Sequence, residues 1–385
     1  MNRGNKTEEV LKEFRRLAKE PLRTAAEHAA GTKGVIAIAG MYMPEELIHA
    51  AGFLPMILLE QNDPVTAANA HVQSFMCGYV RSMMDQVLLG KLDFTKALFI
   101  KDCCHEIRMI GDLMRWKEEV KANIEFFFFP VTIKKPESQE YIRQEVRRIR
   151  AAAESLAKAL VTDEQILESI RIYNENRALL KELYTLRREN PGIISGLDIT
   201  AVIRTGMSIR KEEHSEMLKK LLGALRSDLE DGSLQAKAGP GVILTGSLCE
   251  SCEDSVIQAV EEAGGIILDD DLYVGGRYFN TMTAGDEDPA EALAEAYIYR
   301  NSPCPTQFDG ETVRSEYLAK MADRAGAKGI IEVVVKFCEA HYFSNLSVQT
   351  DMRKMKRKLF TIYTDHDQTA EGQISTRIQS FLENM

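Results

Sequence analysis

Cysteines at the ends of apolar runs are the residues of this sequence whose types most clearly could do chemistry. In KDCCHEIR, residues 101–108, Cys103 and Cys104 directly follow the apolar run ALFI. Cys338 follows the run IIEVVVKF, and Cys77 lies in HVQSFMCGYVRS, where a helix is predicted to begin. Such thiols can be buried small hydrophobes, a redox pair or metal ligands. The residue types alone leave all three interpretations open.

The position of these cysteines bears on the choice. In open parallel sheets, ligands bind beyond the carboxyl ends of the strands, and three separate segments each offer a thiol at such a rim. The intervals are 27 residues from Cys77 to Cys104 and 234 residues from Cys104 to Cys338. That spacing is unlike a compact zinc ribbon. A metal or cluster site assembled by the tertiary fold is therefore one prediction, and buried hydrophobic cysteines are the alternative.

The remaining cysteines give weaker signals. Cys249 and Cys252 form GSLCESC at another predicted strand end, where a CxxC motif can be a redox pair or a metal pair. The acidic residues around the motif would raise the thiol pKa, which disfavours a thioredoxin-like pair. A partial ligand or a residue supporting the ligands is the other interpretation. Cys304, between prolines in SPCPT, is predicted to be structural.

Composition restricts the compartment and the partners. The chain has 385 residues, of which 45% are hydrophobic and 28% charged, and its net charge is −10. The composition is that of a globular protein, and the negative charge argues against nucleic acid or an anionic membrane as a partner. The first residues lack the apolar core of a signal peptide, and no run of 18 apolar residues occurs. We therefore expect a cytoplasmic protein whose seven cysteines are thiols or ligands.

The elements that must position these cysteines follow from apolar runs that alternate with helical patterns. KGVIAIAG (33–40) and PGVILTGS (240–247) are each followed by a helical pattern and a second apolar run. This alternation is typical of parallel sheets covered on both faces. The sequence predicts an α/β fold of two doubly wound, flavodoxin- or Rossmann-like parallel-sheet units with a helical segment between them. The predicted divisions are an N-terminal α/β domain at 1–136, a helical segment at 137–237 and a C-terminal α/β domain at 238–385.

Other motifs are absent or ambiguous. The sequence contains no P-loop, no GxGxxG, no GxSxG and no HExxH, so we expect this chain to bind no nucleotide. His341 and His105 stand close to cysteines and could donate protons or support ligands, or they could be ordinary loop histidines. Glu45 and Glu46 could stabilise a helix N-terminus. A carboxylate turned toward the cleft could instead act as acid or base, so Glu46 and His341 are the candidate catalytic residues.

Several stretches together resemble a known family. They include GVIAIAGMYMPEELIHAAGFLPM, SFMCGYVRS, LDFTKALFIKDCCHEIR, GVILTGSLCE, KFCEAHYF and DHDQTAEGQISTRIQSFLE. These stretches resemble the subunits of ATP-dependent benzoyl-CoA reductase and (R)-2-hydroxyacyl-CoA dehydratase, and the resemblance spans most of the chain. SFMC and the segment ending in LDDDLYVGGRYF are more similar to the reductase subunits.

The resemblance implies a [4Fe–4S] cluster held by three cysteines, one from each of three segments. Carried over to this sequence, the ligands are Cys77, Cys104 and Cys338. The family cysteine of the second segment precedes an arginine by four positions, and Arg108 has that spacing from Cys104 but not from Cys103. His105 stands where the family has aspartate, which puts a supporting hydrogen bond in question. The N-terminal domain would then bind the cluster and the C-terminal domain would complete its site.

The same resemblance implies the reaction and the partners. It predicts a subunit of an oxygen-sensitive oxidoreductase of anaerobic metabolism, in a heterodimer with a paralogous subunit. A separate ATP-hydrolysing iron–sulfur activator would supply electrons, which pass through the cluster to a CoA thioester. The alternatives are a 2-hydroxyacyl-CoA dehydratase subunit, which eliminates water through a radical, a double-cubane-cluster reductase, and a non-catalytic electron-transfer subunit. A metal-free α/β protein with buried cysteines is the simplest alternative.

Overall fold

The structure is a computed structural model that describes residues 5–116, 120, 123–247, 250–285, 288–308, 313–365 and 371–385. Its strands are β1 (Val35–Ala39), β2 (Leu54–Ile57), β3 (Thr95–Asp102), β4 (Asn123–Phe128), β5 (Gly241–Gly246), β6 (Ile266–Asp271), β7 (Gly329–Val335) and β8 (Lys358–Thr364). A single 3₁₀ helix at Ala67–Ala70 accompanies the α-helices of the described chain.

The helices surround these strands and fill the region between the two halves. They are α1 (Asn5–Lys19), α2 (Pro21–His28), α3 (Glu45–Ala50), α4 (Gly78–Leu88), α5 (His105–Trp116), α6 (Pro136–Ala157), α7 (Asp163–Glu189), α8 (Gly196–Gly206), α9 (Lys211–Glu230), α10 (Glu250–Glu262), α11 (Gly276–Phe279), α12 (Pro289–Tyr299), α13 (Val313–Ala325), α14 (Glu339–Lys354) and α15 (Glu371–Glu383). None of the helices in the described ranges has both the length and the apolar character needed to cross a membrane.

The strands form two parallel four-stranded sheets, which confirms the predicted fold class. The first sheet has the order β2-β1-β3-β4 and the second the order β6-β5-β7-β8, with every pair parallel. In each sheet the second strand in sequence (β2 or β6) pairs with one side of the first (β1 or β5). The chain then crosses over, and the third and fourth strands lie on the other side of the first. Strand order therefore reverses between β1 and β3, and again between β5 and β7. These are the positions at which doubly wound sheets bind ligands.

Burial on both faces explains why apolar and polar residues do not alternate along these strands. Every residue of β1, β5 and β7 is buried, as expected for sheets covered by helices on both faces. Helix α5 lies so close to the first sheet that a Cβ on Gly111 would overlap the ring of Phe126 and stand 2.9 Å from Cδ1 of Ile100. Glycine at this position is what permits the close helix–sheet contact.

The helical segment is joined to the rest of the molecule by a shared core. One cluster of buried side chains includes Ile36 of β1, Val146 of α6, Leu180 of α7, Leu221 of α9 and Leu293 of α12. Helix α7 begins with a capping box, in which Thr162 and Gln165 bond each other's backbone amides. The segment between the sheets therefore packs on both units, and the predicted domain boundaries stay a prediction.

Two helical glycines test this close packing. We expect Gly111→Val to lower the free energy of unfolding by about 1–3 kcal/mol, because the added methyl groups overpack the space against β3 and β4. Gly223→Ala in α9 is the matched control, since a Cβ there meets nothing within 4 Å. It should raise the free energy of unfolding by up to about 1 kcal/mol through helix propensity. Denaturant unfolding followed by circular dichroism measures both, and equal effects would contradict the packing.

Candidate functional site

One cavity lies between the two switch points and collects the thiols. Its lining includes Met41 after β1, Cys103 and Cys104 after β3, Ser247 after β5 and Cys338 after β7. The volume inside it that is open to water is about 30 Å³. All five cysteines whose side chains are described contribute to its wall: Cys77, Cys103, Cys104, Cys304 and Cys338. Cysteines up to 261 positions apart in sequence thus meet at one place.

Each of the three predicted ligands immediately precedes a helix. Cys77 and Cys338 are the N-cap residues of α4 and α14, and Cys104 directly precedes α5. The carbonyl of each cysteine accepts the amide four residues later, at 3.1 Å for Cys77, 3.3 Å for Cys104 and 3.0 Å for Cys338. The positive ends of three helices therefore face this region, an arrangement that stabilises thiolates.

The thiols also influence one another. Burial raises the pKa of Cys338, and the neighbouring thiols of Cys77 and Cys104 raise it further. A hydrogen bond from Cys103 lowers the pKa of Cys104, and for the same reason the pKa of Cys103 is raised. Of the two adjacent cysteines, Cys104 is thus the one prepared to be a thiolate. Coordination to iron would remove the burial cost, because a bound cation deprotonates its thiol ligands.

The end of β1 is held tightly against the cavity. The Gly40 amide donates to the Tyr79 hydroxyl at 3.1 Å, and the Gly40 carbonyl accepts from the Tyr273 hydroxyl at 3.1 Å. Gly40 has a φ of +90°, and a Cβ there would lie 3.1 Å from the Lys101 carbonyl and 3.6 Å from Sγ of Cys103. Glycine is needed both for the conformation and for the approach of β3. Since Tyr273 follows β6, this contact also joins the two units at the rim of the cavity.

Backbone strain borders the cavity on both sides. Among the described non-glycine residues, four have positive φ, and two of these are Tyr42 (62°) and Phe337 (67°). Tyr42 follows Met41 of the cavity wall, and Phe337 precedes Cys338. Strain of this kind costs about 1–3 kcal/mol per residue and is concentrated at functional sites. At Phe337 it turns the chain between β7 and α14 so that Cys338 enters the cavity.

In the segment KDCCHEIR, an ion pair joins Arg108 to the aspartate at the end of β3. Nε of Arg108 donates to Asp102 at 3.0 Å, and its Nη2 bonds the second oxygen of that carboxylate. This pair fixes the end of β3 beside the cysteines. His105 is exposed and is not part of the cavity wall, whereas Glu106 lines it. Burial raises the pKa of Glu106, which is a site residue that the sequence analysis did not single out.

His341 faces the cavity with a cationic wall behind it. It is 3% exposed, and within the described ranges its Nδ1 has no hydrogen-bond partner. Burial lowers its pKa, and the nearby Arg277 and Arg314 lower it further. His341 is therefore neutral at pH 7, with one ring nitrogen available to the cavity. The two guanidiniums are in turn paired with Asp271, at 2.8 and 3.1 Å.

The acidic run at the end of β6 is the feature that the sequence analysis missed. Three consecutive aspartates are buried there, at the end of the apolar run that forms β6. Each has cationic partners, since buried carboxylates must be paired. Asp269 pairs with Arg188 and Arg324, Asp270 with Arg187, and Asp271 with Arg277 and Arg314. The sequence signal that could have predicted these ion pairs is the run of three aspartates directly after the apolar residues of β6.

Glu46 lies outside this cavity. It is fully buried in α3, and Nη2 of Arg177 contacts one of its carboxylate oxygens at 2.7 Å. Its neighbour Glu45 faces a second, smaller cavity and accepts a hydrogen bond from Tyr278 at 3.1 Å. The two cavities share Met41 in their walls. The structure thus brings His341 to the cysteines and holds Glu46 in an ion pair behind them, and a catalytic role for Glu46 stays a prediction.

The other cysteines have separate outcomes. Sγ of Cys304 is 3.0 Å from the Thr306 hydroxyl, so this thiol of the rigid proline turn is also part of the cavity wall. Cys249 lies outside the described residues, and the side chain of Cys252 is not described either. Their predicted redox or ligand roles stay predictions.

The thiols of the cavity are of the type that holds iron–sulfur clusters, because thiolates are the ligands that such clusters use. Cys77, Cys104 and Cys338 approach one cavity from three helix N-termini, so they are the residues that could hold such a cluster. Within the described part of the chain, no three His, Cys, Asp or Glu side chains form a group that could hold a single metal ion.

Comparison with known proteins agrees with the resemblance found in the sequence. The model of the family described as 2-hydroxyglutaryl-CoA dehydratase, D-component, matches residues 40–385, which include all three candidate ligands. The (R)-phenyllactyl-CoA dehydratase beta subunit of Clostridium sporogenes is 26% identical over 384 residues, 98% of this chain and 99% of that protein. A benzoyl-CoA reductase subunit of Thauera aromatica is 28% identical over 317 residues, 81% of each chain.

The buried triad behind His341 gives a test of the cavity wall. We expect Asp271→Asn to lower the free energy of unfolding by about 3–5 kcal/mol at pH 7, because two buried guanidiniums lose their counter-charge. Asp323→Asn is the control, since Asp323 is 56% exposed and pairs with Arg357 at 2.6 Å. That variant should cost no more than about 1 kcal/mol. Denaturant unfolding of both variants measures the difference.

The same triad predicts a pH dependence. Burial would raise the pKa of Asp271, but Arg277 and Arg314 outweigh it and hold the pKa below its usual value. A lowered pKa in the folded state adds stability above the unfolded value of about 3.9. That contribution is lost as the pH falls through the lower folded pKa. The stability difference between wild type and Asp271→Asn should therefore shrink below about pH 4, and a constant difference would contradict the assignment.

Proposed function

Since the chain belongs to the 2-hydroxyglutaryl-CoA dehydratase D-component family, we propose that it is a subunit of an iron–sulfur-dependent acyl-CoA reductase of the benzoyl-CoA type. Its relatives are named as subunits of acyl-CoA dehydratases and of benzoyl-CoA reductase, so the chain is a subunit of that enzyme class. We infer a paralogous partner subunit, an ATP-hydrolysing activator that delivers electrons, and a CoA thioester as substrate.

The cluster assignment rests on the convergence of three thiols. Thiols from three distant segments converge on one cavity at the switch points of both sheets. Buried small hydrophobic cysteines would have no reason to precede a helix N-terminus in each case, or to share one cavity. Cys77, Cys104 and Cys338 are the residues that would hold a [4Fe–4S] cluster. Cys103 serves as hydrogen-bond donor to Cys104, as the direction of their pKa shifts supports.

The protein side of the mechanism is to position, desolvate and supply protons. When bound, a [4Fe–4S] cluster supplies single electrons at a potential set by nearby charge, hydrogen bonds and solvent exposure. The apolar wall of Met41, Val80 and Ile107 excludes water from the cavity. Such a cluster would be held by the thiolates of Cys77, Cys104 and Cys338. His341, neutral and with Nδ1 free of partners in the described chain, is the group proposed to move a proton there.

A dehydratase subunit is the second candidate. The dehydratase relatives from Clostridium sporogenes and Acidaminococcus fermentans align with 98% of this chain, whereas the reductase relative aligns with 81%. The same cavity serves either reaction, because both need a CoA thioester beside a reducing centre. The two reactions differ in their electron balance, since ring reduction consumes reductant and removal of water does not.

Substitution of the adjacent cysteines tests the ligand assignment. We expect Cys104→Ser to lose most of its iron and acid-labile sulfide, because serine replaces a thiolate ligand. Cys103→Ser is the matched control, since it changes the neighbouring thiol and keeps a hydrogen-bond donor. It should retain the wild-type content. Both contents are measured after anaerobic purification of the full chain. Retention in Cys104→Ser with loss in Cys103→Ser would reverse the assignment, and absence of iron and sulfide from wild type would overturn the cluster proposal.

Electron balance distinguishes the two reactions. The chain is assembled with its partner subunit and activator and supplied separately with benzoyl-CoA and with 2-hydroxyacyl-CoAs. For the reductase, we expect turnover of benzoyl-CoA with one two-electron equivalent of reductant consumed per product. A dehydratase would instead turn over hydroxyacyl-CoAs with far less than one equivalent consumed. That second result would replace the reductase by the alternative.

A further inference from the structure

A cleft between the helical segment and the C-terminal unit is large, open and positively charged. It lies between α7, the loop from β6 to α11, and the segment that follows α12, and its volume is about 500 Å³. Four cationic side chains line it together with a single carboxylate, that of Asp269. The cations are Lys181, Arg188, Arg300 and Arg324. This excess of three positive charges contrasts with the net charge of −10 of the whole chain.

The cations of the cleft are only partly neutralised. Arg188 and Arg324 share one oxygen of Asp269, at 3.0 and 2.9 Å. Lys181 donates to the Asn280 carbonyl at 3.2 Å, and Arg300 to the Met282 carbonyl at 3.2 Å. Neither of these two has a carboxylate among its contacts within the described residues. Burial and the nearby Arg177 lower the pKa of Lys181, a shift that a bound anion would oppose.

A short segment connects this cleft to the cysteine cavity. Asn301, Ser302 and Pro303 line both the cleft and a neighbouring groove of about 530 Å³. The groove in turn shares Cys304 and Ala340 with the cysteine cavity. Cys304 is four positions after Arg300 in the sequence, so their backbones are at most about 14 Å apart. The cationic end and the thiol end of this route are thus close together.

The groove between them is predominantly apolar. Its wall includes exposed apolar side chains that no described element covers, and such side chains favour a ligand with apolar and amide groups over a highly charged one. They are Val131, Tyr299, Phe308, Val313 and Phe343. A ligand that fills the whole route needs an anionic end, a neutral linear middle and a reactive end at the thiols.

We propose that the cationic cleft binds the phosphate groups of the CoA thioester while its phosphopantetheine arm lies in the apolar groove. This inference rests on the proposed function, which makes a CoA thioester the substrate. The adenosine end of CoA carries a diphosphate and a 3′-phosphate, and guanidiniums are the preferred partners of such groups because they bind them with two parallel hydrogen bonds. The arm resembles a short extended peptide with two amides, so it can follow Asn301–Pro303 toward the cavity.

Binding of CoA and its fragments to the full chain tests this proposal by calorimetry. We expect CoA and adenosine 3′,5′-bisphosphate to compete for one site. Arg300→Gln and Arg324→Gln should each weaken both ligands about ten-fold, the loss of one hydrogen bond to a charged group. The affinity should fall as salt is added, and pantetheine, which lacks phosphate, should bind all variants alike. Both side chains are exposed, and in Arg324→Gln the buried Asp269 keeps its ion pair with Arg188.

Arg16→Gln is the matched control. Arg16 is 60% exposed and paired with Glu13, as Arg324 is 59% exposed and paired with Asp269. It should bind CoA as wild type does. Equal weakening by all three substitutions, or no effect of any, would overturn the cleft as the phosphate site. Binding of ATP with no competition from CoA would identify a free nucleotide as the ligand and overturn the CoA assignment.

Iron and sulfide content is measured on the same samples. The arginine variants should keep the wild-type content, because none of these residues lies in the cysteine cavity. Loss of CoA binding with an intact cluster would count against the cleft alone. Intact CoA binding by a chain without iron would count against the cluster alone.

Discussion

The pairing of buried carboxylates at the end of β6 is the constraint that holds the helical segment on the second sheet. Three adjacent aspartates inside a protein would each be costly without a counter-charge. Their cations come from three helices, so satisfying the aspartates fixes those helices relative to β6. Asp269 and Asp270 draw in α7 through Arg187 and Arg188, and Asp271 draws in α11 and α13 through Arg277 and Arg314. The helical segment is thereby attached to the second sheet.

This charge network also sets the electrostatics of the cysteine cavity. Burial, together with the charges of Arg277 and Arg314, lowers the pKa of His341 and keeps it neutral. The amino ends of α4, α5 and α14 favour negative charge on the thiols. Burial acts in the opposite direction on Cys338. The result is a wall that stabilises thiolates only when a cationic partner compensates the loss of water. Such a cavity suits a reducing centre, since its potential depends on the same balance of charge and solvent.

Apolar runs and strand-end positions in the sequence were enough to predict the strands and the meeting of the cysteines. KGVIAIAG and PGVILTGS became β1 and β5, and the switch-point rule placed Cys104 and Cys338 on one rim from their positions in the sequence. The same patterns could not predict ion pairs between residues that are distant in sequence. No residue near Glu46 in the sequence indicates that it pairs with Arg177. Likewise, the sequence around LDDD does not identify the arginines that pair with its aspartates, because these ion pairs arise from helix packing. The exposure of His105 likewise depends on the orientation of α5, which periodicity alone does not fix.

The order of the cysteines along the chain has a consequence for biosynthesis. Cys77 and Cys104 belong to the first sheet, which can form while later residues are still being added, since domains generally fold from the N-terminal side during synthesis. Cys338 is made 234 residues after Cys104 and reaches the cavity only when β7 and α14 have docked. The three-thiol set is therefore complete only after α14 has been synthesised. Under the proposal that these thiols hold a cluster, iron and sulfide would be loaded after that point and not on the isolated first unit.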